Sequence, residues 1–488
     1  MFLLTREENC AIILHYIEFL CGYAQRKVYI MAKNNLVTPR TLAGFMELLP
    51  REQLAFERMR RALEEVYRLY GFYPLDTPVL EYSEILFAKA GGETEKQVYR
   101  FTKGDTDLAM RFDLTVPLAK YVAKNAGELT FPFRRYQIGK VYRGERAQKG
   151  RFREFYQSDI DIIGDGSLSI ENDAEIPSII YTLFKRLGLE NFTIRVNNRK
   201  ILSGFYDVLG LRDQAENIMR TVDKIEKIGE EKVRSELVEV FGVSDENAKK
   251  ITDFIALRGS NTDIIAALRD MAGDNELFLC GIDELETVCR AIVAFGVPET
   301  NFRIDLSIAR GLDYYTGTVY ETTFNKHPEI GSVCSGGRYD NLAGFYTDRQ
   351  LPGVGISIGL TRLFYILNEM DYLNRDADAP ADVLILPMTE DFEAAIRTAA
   401  ALREAGVRTQ IYSEKKKFKA KIGYADKLGI PFALFLGEDE INAGVVTVKN
   451  MKTGEQRTAG LDAILPAILQ EIHALDAVTV IKTEETNA

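Results

Sequence analysis

Arginines beside glycines mark two segments of this chain that could bind an anion. Residues 310–316 read Arg-Gly-Leu-Asp-Tyr-Tyr-Thr, and residues 335–340 read Ser-Gly-Gly-Arg-Tyr-Asp. Glycine lets a ligand approach the backbone closely, and the planar guanidinium matches the oxygen pair of a carboxylate or phosphate. The paired tyrosines add apolar walls with polar tips. A tyrosine pair alone favours a strand end in an aromatic core, so the prediction of a site depends on further motifs.

Two more segments carry the same kind of chemistry. Residues 142–146 read Tyr-Arg-Gly-Glu-Arg and are followed at 150–155 by Gly-Arg-Phe-Arg-Glu-Phe, whereas residues 353–362 form a glycine-spaced run that ends in Arg362. The alternatives are a charged hairpin tip in solvent for the first segment and tight strand packing for the second. The order of all four segments along one chain argues against these alternatives.

These segments carry a family resemblance. Residues 310–316 and 335–340 resemble the two histidine-recognition signatures of the histidyl-tRNA synthetases, which are class II aminoacyl-tRNA synthetases. The segments at 142–155 and 353–362 resemble class II motifs 2 and 3. The succession of a helix, a strand and prolines that ends at Pro78 resembles motif 1, which builds the dimer interface in that superfamily. Taken alone, this stretch would equally fit an ordinary amphipathic helix packed on a core. The resemblance implies ATP-dependent activation of histidine, followed by transfer to tRNA(His).

Activation joins two anions, the histidine carboxylate and the α-phosphate of ATP, so it needs cations and positioned donors rather than a general base. By resemblance, Arg143 holds the α-phosphate and the carboxylate, and Arg310 approaches from the opposite side as the electrostatic catalyst. With Gln157 these are the predicted catalytic residues. The ATP-binding set implied by the family is Arg143, Glu145, Arg151, Phe155 and Arg362. Mg²⁺ is expected to accompany ATP, and no separate metal site is predicted.

Histidine selection is also assigned by resemblance. The implied residues are Asp113, Thr115, Arg143, Gln157, Asp161, Arg310, Tyr314, Tyr315 and Tyr339. Asp113 and Thr115 are two positions apart, so an extended backbone would place both on one face, where they could hold the α-ammonium group. Asp161 and a tyrosine hydroxyl could bind the two imidazole nitrogens. Leaving those groups unpaired would penalise a wrong amino acid by roughly 10⁴-fold or more.

Two basic segments are candidates for tRNA contact. The resemblance implies that Arg146, Gln148 and Lys149 face the acceptor end, although the family usually has proline where this chain has Ala147. The densest basic run comprises Lys415, Lys416, Lys417, Lys419 and Lys421. A solvated helix face and an RNA phosphate contact are both open for this run.

The composition indicates a multidomain protein of a reducing compartment. The chain has 488 residues, more than one core usually supports, so two or three domains are expected. Its formal net charge of -11 argues against a broadly basic nucleic-acid coat. The five cysteines form no CxxC pair, which argues against a disulfide or zinc framework and favours the cytoplasm. Residues 1–30 fit neither a membrane span nor a signal peptide, so we expect an upstream extension with Met31 as the natural start.

The pattern predicts the elements that position the motifs. Apolar spacing predicts a helix over 54–70, which Gly71 would end, and strands over 133–143 and 152–163. In the second strand one face is apolar, whereas the other carries Arg153, Phe155, Gln157, Asp159 and Asp161. Pattern alone favours solvent for that polar face, and the lining of a polar site is the alternative.

The motifs stop near residue 190 and resume near 299, with short charge-rich helical runs between them. The predicted division is an extension at 1–30, a first catalytic part at 31–190, a helical insertion at 191–298, a second catalytic part at 299–373, a linker at 374–381, an anticodon-binding domain at 382–474 and a tail at 475–488. The polar end of the tail, from Lys482 to Ala488, is expected to be disordered. In the last domain strands at 383–386 and 432–436 alternate with helices, which implies parallel strands. Its first helix should turn Phe392, Ile396, Ala399 and Leu402 to one side.

The expected fold is α+β: a class II synthetase antiparallel sheet with flanking helices, a helical insertion and a C-terminal α/β anticodon-binding domain, assembled as a homodimer. Two non-catalytic relatives are the alternatives, namely a regulatory subunit of histidine biosynthesis and a module of a nutrient-sensing kinase. The regulatory subunit typically lacks the anticodon domain and the full arginine set, whereas Arg143, Arg310 and Arg362 are present here. No kinase motif occurs in the sequence.

Overall fold

A computed structural model describes residues 37–88, 96–146, 149–309, 315–340, 342–476 and 479–482. The expected extension at 1–30 lies outside the described residues. Residues 1–47 and 48–488 form separate units, and the described part of the first is irregular chain with a turn in which Phe45 N donates to Leu42 O at 3.0 Å. Within the described ranges, no helix is both long and apolar enough to cross a membrane.

Eight of the described strands form one mixed sheet. They are β1 (Tyr73–Pro74), β5 (Phe133–Tyr142), β6 (Glu154–Ile163), β7 (Phe192–Asn198), β8 (Phe302–Ile304), β9 (Tyr315–Phe324), β10 (Cys334–Tyr339) and β11 (Gly353–Ile358). The order is β1-β5-β6-β11-β10-β9-β7-β8, with parallel pairs only at the two edges. The predicted hairpin of β5 and β6 is confirmed.

Long helices cover one face of this sheet. Helix α1 (Pro50–Leu69) starts at a proline, whose fixed φ suits the first turn, and ends before Gly71, whose φ of +75° provides the predicted stop. The apolar face of β6, with Ile160 and Ile162, shares a buried core with α1 and with α4 (Glu171–Leu187). The polar face of β6 therefore points to the other side of the sheet.

A small second sheet leads into the site. Its strands are β2 (Leu80–Tyr82), β3 (Arg100–Lys103) and β4 (Thr106–Met110), in the order β2-β4-β3; helix α2 (Ser83–Phe87) lies between β2 and β3 in sequence, and α3 (Thr115–Asn125) follows β4. The buried Arg111 follows β4, and its Nε donates to Lys140 O on β5 at 2.8 Å. This bond fastens the chain just before α3 to the large sheet, and so positions the segment that holds Asp113.

The helical segment is shorter than predicted. We expected helices from residue 191, but Phe192–Asn198 is strand β7 of the large sheet, because its buried apolar residues Phe192, Ile194 and Val196 recur at every second position. The helices that follow are α5 (Arg199–Val208), α6 (Ala215–Val222), α7 (Ile225–Ile228), α8 (Glu230–Glu239), α9 (Asp245–Ile255), α10 (Asn261–Ala272) and α11 (Glu276–Ala294). Phe205 and Phe278 from this segment share the core of the sheet. The helical segment therefore packs on the catalytic core. After this segment and the remaining strands of the sheet, helix α12 (Leu360–Glu369) follows β11.

Residues beyond 382 form a second α/β layer structure. The strands are β12 (Val383–Pro387), β13 (Thr409–Ile411), β14 (Phe432–Leu436), β15 (Val446–Asn450) and β16 (Gln456–Ala459), and the helices are α13 (Glu393–Glu404), α14 (Phe418–Leu428), α15 (Glu438–Ala443) and α16 (Leu461–Asp476). The order is β13-β12-β14-β15-β16. The predicted parallel pairing holds for β13-β12-β14, whereas β15 and β16 are antiparallel additions.

One prediction for α13 was wrong. Ile396 is 57% exposed, and the buried positions are Ala395, Ala399 and Leu402. Positions 395, 399 and 402 follow the i, i+4, i+7 spacing of one helix face. Ile396 is one residue out of phase with that face, so it turns toward solvent.

The predicted linker is tied to the catalytic core. Asp378 is 1% exposed and accepts hydrogen bonds from Arg58 on α1 at 3.0 Å and from Arg375 at 3.2 Å. The same Arg58 also donates to Asn374 O at 3.0 Å. The segment between the two domains is therefore held by a buried carboxylate rather than left as free chain.

The chain also returns to the catalytic core after α16. Ile481 is 3% exposed, and its N donates to Leu187 O at the end of α4 at 3.0 Å. We expected a disordered tail from Lys482, but this residue pairs with Asp371 at 2.8 Å. Residues 483–488 lie outside the described part of the chain.

Candidate active site

A cavity of about 770 Å³ opens on the face of the large sheet that carries the polar residues of β6. Residues from motifs 2 and 3 and from both signature segments line it, together with other residues predicted for the site: Asp113, Thr115, Arg143, Glu145, Arg151, Phe155, Gln157, Asp161, Tyr315, Tyr339 and Arg362. The solvent-facing interpretation of β6 is wrong, because Asp159 and Asp161 are only 2% and 4% exposed. The alternation of apolar and polar residues along β6 was predicted correctly, but periodicity does not show whether a polar face meets solvent or lines a cavity.

Arg143 lies at the end of β5, where the hairpin opens. Its Nε donates to Phe112 O at 2.9 Å, and its guanidinium carbon lies 5.2 Å from the centre of the Phe155 ring. The backbone N of Arg143 also donates to Arg153 O at 2.9 Å, which keeps the two strands paired beyond the last ladder residue. These contacts fix the side chain at the cavity wall, where a guanidinium can bind an anion.

The other residues assigned to ATP surround the same end of the cavity. Glu145 and Arg151 face each other across the hairpin at 3.7 Å. Arg362 lies in the first turn of α12, and its guanidinium donates to Ser332 O at 3.4 Å and to Ile330 O. Thr361 Oγ1 accepts from Tyr156 N at 2.7 Å, which joins the start of α12 to β6. Motifs 2 and 3 are thus held together at one place, although their contacts with ATP remain predictions.

A row of polar side chains continues along β6 into the cavity. Gln157 Nε2 donates to Ser357 Oγ on β11 at 2.7 Å. Asp161 Oδ2 lies 2.5 Å from Arg135 Nη2 on β5, and Asp161 Oδ1 accepts from Tyr339 Oη at 2.8 Å. Burial raises the pKa of Asp161, against the lowering effect of the Arg135 guanidinium. Asp161 is therefore a carboxylate held on both oxygens at the deep end of the site.

Asp113 and Thr115 both line the cavity, but the backbone between them is not extended, so the condition for sharing one strand face is not met. Leu114 has helical φ and ψ, and Thr115 already starts α3. Asp113 Oδ1 accepts from Val116 N at 3.1 Å, so this carboxylate caps the helix. Burial raises the pKa of Asp113 to about 6. Helix capping, rather than strand geometry, positions this pair.

The two signature segments behave differently. Arg310 and Tyr314 lie outside the described residues, although Ala309 and Tyr315 on either side of them line the cavity. In the second signature, Tyr339 lines the cavity and is 2% exposed. Arg338 is used within the protein, because its Nη2 lies 2.6 Å from Asp173 Oδ1 on α4. The anion that Arg338 binds is therefore the carboxylate of Asp173, a side chain of this protein.

Of the residues assigned to tRNA, Arg146 and Lys149 are described by the structure and do not line the cavity. Arg146 and Lys149 are exposed, and Lys149 pairs with Glu369 at 3.1 Å, whereas Gln148 and Ala147 lie outside the described residues. The basic run precedes and begins α14 in the C-terminal domain. Lys416, Lys417 and Lys419 are exposed there, whereas Lys421 Nζ donates to Pro387 O at 2.6 Å.

Sequence reasoning missed several residues of the site. Arg135 and Asp159 belong to no motif, yet Arg135 is completely buried and Asp159 lines the cavity. The signal was the hairpin register, which pairs Arg135 with Asp161 and Gln137 with Asp159. The helical segment also contributes to the wall, through Arg199, Glu216, Met219, Arg220 and Asp223.

A mostly antiparallel sheet with this cavity on one face and an α/β domain at the C-terminus is the architecture of the class II aminoacyl-tRNA synthetases. The family model of histidyl-tRNA synthetase matches residues 44–363, and that of an anticodon binding domain matches residues 382–471. The chain belongs to the histidyl-tRNA synthetase family, as its motifs indicated.

Individual relatives agree with this membership. A histidine–tRNA ligase of Clostridium tetani is 55% identical over 437 residues, which cover 89% of this chain and 99% of that protein. One of Finegoldia magna is 46% identical over 88% of this chain and 99% of its own length. The crystal structure of histidyl-tRNA synthetase from Nostoc sp. PCC 7120 matches with a TM-score of 0.84 and 39% identity, over 89% of this chain and all of that one.

A more distant neighbour resembles the alternative we had considered. It is described as an ATP phosphoribosyltransferase regulatory subunit/histidyl-tRNA synthetase from Bacillus halodurans, with a TM-score of 0.66 and 23% identity over 80% of this chain and 97% of that one. At this identity the likeness shows a common fold alone. The high identity to the ligases therefore decides between the two interpretations.

Proposed function

We propose residue roles for the reaction of this chain, which is the ATP-dependent ligation of L-histidine to tRNA(His) through histidyl-adenylate and pyrophosphate. The observation that carries the assignment is the meeting of Arg143 with the buried carboxylates Asp113 and Asp161 at one cavity. A guanidinium suits the histidine carboxylate and the α-phosphate, whereas carboxylates suit ammonium and imidazole N–H groups. The cavity thereby offers complementary charge to both ends of the amino acid.

Arg143, Gln157 and Arg310 are the proposed catalytic residues. Because Arg143 is anchored through Nε, its two Nη groups are the ones directed to substrate oxygens. Arg310 is proposed to reach the α-phosphate from the opposite flank, and its neighbour Ala309 lines the cavity. Donors fixed in advance around a developing negative charge stabilise the transition state without reorganisation. The histidine carboxylate is already ionised, so no general base is needed.

The proposed histidine site lies deeper than the reacting centre. Asp113 and Thr115 hold the α-ammonium group, whereas Asp161, Tyr339 and the tyrosines at 314 and 315 enclose the imidazole. The buried hydrogen bond from Tyr339 to Asp161 supports this assignment, because it fixes the carboxylate that must face the ring. Gln157, Arg143 and Arg310 then meet the carboxylate end.

ATP is proposed to lie across the open end of the cavity as its magnesium complex, in which Mg²⁺ would offset part of the phosphate charge. Glu145 accepts from the adenine amino group and Phe155 stacks on the ring. Arg151 reaches the distal phosphates, and Arg362 holds the far side of adenine and the terminal phosphate. The ion pair of Glu145 with Arg151 is long, at 3.7 Å, and partly exposed to solvent, so ATP can separate the two side chains at little cost.

We assign tRNA contacts to two surfaces. Arg146, Gln148 and Lys149 would meet the acceptor end, and the exposed lysines before and in α14 would meet RNA phosphates. The match of residues 382–471 to an anticodon binding domain supports the second assignment. We retain the proposed division of the chain, except that the helical insertion is now taken as 199–294, because β7 belongs to the sheet.

A cytoplasmic homodimer is the proposed form of the protein. Leu69 and Tyr73, in the segment that resembles motif 1, are 76% and 69% exposed, and Leu80 and Tyr82 on β2 are 45% and 59% exposed. Large apolar side chains so exposed on consecutive elements favour a second copy as their cover. The free state of Cys280, Cys289 and Cys334 is compatible with a reducing compartment.

Two assays test the proposed function. ATP–pyrophosphate exchange should depend on histidine and on no other amino acid, and charging should require a tRNA(His) transcript. Exchange that is absent with histidine, or equally fast with another amino acid, would contradict the residue roles assigned to the pocket.

A further inference from the structure

Asp159 is a buried carboxylate inside the cavity that the proposed reaction does not use. It lies on β6 between Gln157 and Asp161, lines the cavity and is 2% exposed. Its Oδ1 has no hydrogen-bond partner among the described residues, and neither has Gln157 Oε1 beside it. A buried carboxylate oxygen without a donor is costly. Such an atom in a ligand cavity indicates a donor that arrives with the ligand.

No cation of the described residues donates a hydrogen bond to Asp159 Oδ1, although the buried Arg135 lies close enough to lower the pKa of this carboxyl. The nearby Arg135 is completely buried, but its Nη2 is committed to Asp161 Oδ2 at 2.5 Å. Arg143 is held further out by the carbonyl of Phe112. The deep end of the site thus contains more carboxylates than arginines, so an additional proton there, on the ligand or on a carboxyl, reduces the excess negative charge.

The spacing of Asp159 and Asp161 suits an imidazole ring. Residues i and i+2 of a strand point to the same side and lie about 7 Å apart. A small ring that makes a hydrogen bond of about 2.8 Å on each side fits such a gap. The hydroxyl of Tyr339 already donates its proton to Asp161, so it is not the donor to the bare nitrogen of the ring.

We propose that Asp159 is a specificity-determining residue that faces one imidazole nitrogen of bound histidine while Asp161 faces the other, and that the complex holds one additional proton between Asp159 and the ring. This inference rests on the proposed placement of histidine. Neutral imidazole has one N–H and one bare nitrogen. Between two carboxylates the bare nitrogen needs a proton, which either the ring or Asp159 carries.

The surroundings of Asp159 define the pH range of this effect. The groups that face it are Arg135, Asp161, Asp113, Ser357, Cys334 and Tyr67. Burial, opposed by Arg135, raises the pKa of Asp159 to about 7. The free site therefore loses its proton as the pH rises through about 7, whereas the complex requires one. Histidine binding above that pH must take a proton from solvent, so kcat/KM for histidine falls as the pH rises further.

Substitution of Asp159 by Asn keeps its shape and removes its titration. In Asp159→Asn, KM for histidine should rise about 10-fold or more while KM for ATP changes less than about 3-fold, because one charged contact to the ring is lost. The fall of kcat/KM for histidine above pH 7 should disappear. Asp165→Asn is the matched control, since Asp165 is exposed on the same segment and pairs with Arg349. An unchanged KM or an unchanged pH profile in Asp159→Asn would overturn the proposal.

A measurement on the unaltered protein covers the case in which Asp159→Asn does not fold. Calorimetric titration with histidine at pH 8, in two buffers of different ionisation enthalpy, should show uptake of nearly one proton per site. Net uptake near zero at pH 8 would overturn the shared proton. The control for the proposed function is histidine-dependent pyrophosphate exchange by the same sample: its absence rejects the function, whereas its presence without proton uptake rejects only this inference.

Discussion

Gly355 on β11 lies directly against the Asp161 side chain on β6. The two residues are paired across the strands, and a Cβ placed on Gly355 would lie 2.3 Å from Asp161 Oδ1 and 2.4 Å from Ile160 O. Both distances are shorter than the contacts that Cβ atoms make in proteins, and one of the two atoms is a backbone carbonyl oxygen that cannot rotate away. The glycine of motif 3 therefore makes room for the carboxylate that is proposed to bind imidazole.

This relationship predicts the effect of Gly355→Ala. The added methyl group must displace Asp161 or separate the two strands, so we expect KM for histidine to rise by about 10-fold or more, since a displacement of about 1 Å in a site is enough to cause large losses. Gly127→Ala is the control, because an added Cβ there meets nothing within 4 Å. Steady-state pyrophosphate exchange measures both. Equal KM values in the two variants would show that Asp161 does not select histidine.

Removal of the proposed catalyst should affect rate more than binding. For Arg310→Ala we expect the rate of adenylate formation to fall by roughly 10² or more, as with loss of a preorganised oxyanion donor. Rapid-quench measurement of the first turnover separates this step from product release. Arg338→Lys offers a comparison within the other signature, because Arg338 binds Asp173 rather than the cavity. A rate for Arg310→Ala close to that of the unaltered protein would refute the assignment.

The sequence predicted those parts of the site that local patterns determine. Alternation identified β5 and β6, and glycine at position 71 identified the end of α1, because both depend on neighbours in the chain. The destination of the polar face of β6 could not be predicted, since it depends on which face α1 and α4 cover. Arg135 was missed for the same reason: its role exists only in the register that places it beside Asp161.

Errors in the element boundaries also have physical causes. Residues before Arg199 were counted as helical because the composition changes near there, but the alternation of β7 continues the sheet. The spacing of Asp113 and Thr115 would place both on one face if the backbone were extended, whereas the Asp113 carboxylate caps α3. A capping Asp and a strand Asp cannot be distinguished without the position of the following helix.

The buried pair of Arg338 and Asp173 predicts a loss of stability. Asp173 is 0% exposed and Arg338 is 8% exposed, and Thr318 Oγ1 also donates to this carboxylate at 2.6 Å. In Arg338→Met the carboxylate loses its counter-charge, so we expect the catalytic core to be destabilised by about 3–5 kcal/mol. Since the chain has no tryptophan, urea unfolding should be followed by the near-ultraviolet circular dichroism of its tyrosines. Arg349→Met, which removes an exposed pair, should leave the midpoint nearly unchanged.

The exposed lysines of the C-terminal domain predict that charge reversal there weakens tRNA binding without affecting histidine activation. In the double variant Lys416→Glu and Lys419→Glu, repulsion from RNA phosphates should raise KM for tRNA by about 10-fold at low salt. Pyrophosphate exchange should not change, because this step does not involve tRNA. The control is Lys124→Glu on α3, which reverses an exposed charge on the catalytic domain. If both variants have the same KM for tRNA, the basic run is only a solvated face.

Because the chain end packs on the catalytic core, detaching residues 479–482 should also expose the backbone amides of residues 372–374 to solvent. Val480 and Ile481 are 7% and 3% exposed, and Lys482 N donates to Tyr372 O at 2.8 Å. In Ile481→Asp, a charge would enter an apolar core, so the segment should detach. We expect faster hydrogen–deuterium exchange in peptides that cover residues 372–374 as well as 479–482, because Asn374 N donates to Val480 O.

Peptides of β12 and β14 should exchange as before, since their hydrogen bonds are internal to the C-terminal sheet. Ile396→Asp, at a solvent-facing position of α13, is the matched control and should leave the exchange of residues 372–374 unchanged. Faster exchange confined to residues 479–482 would mean that the chain end does not secure the segment between the two domains.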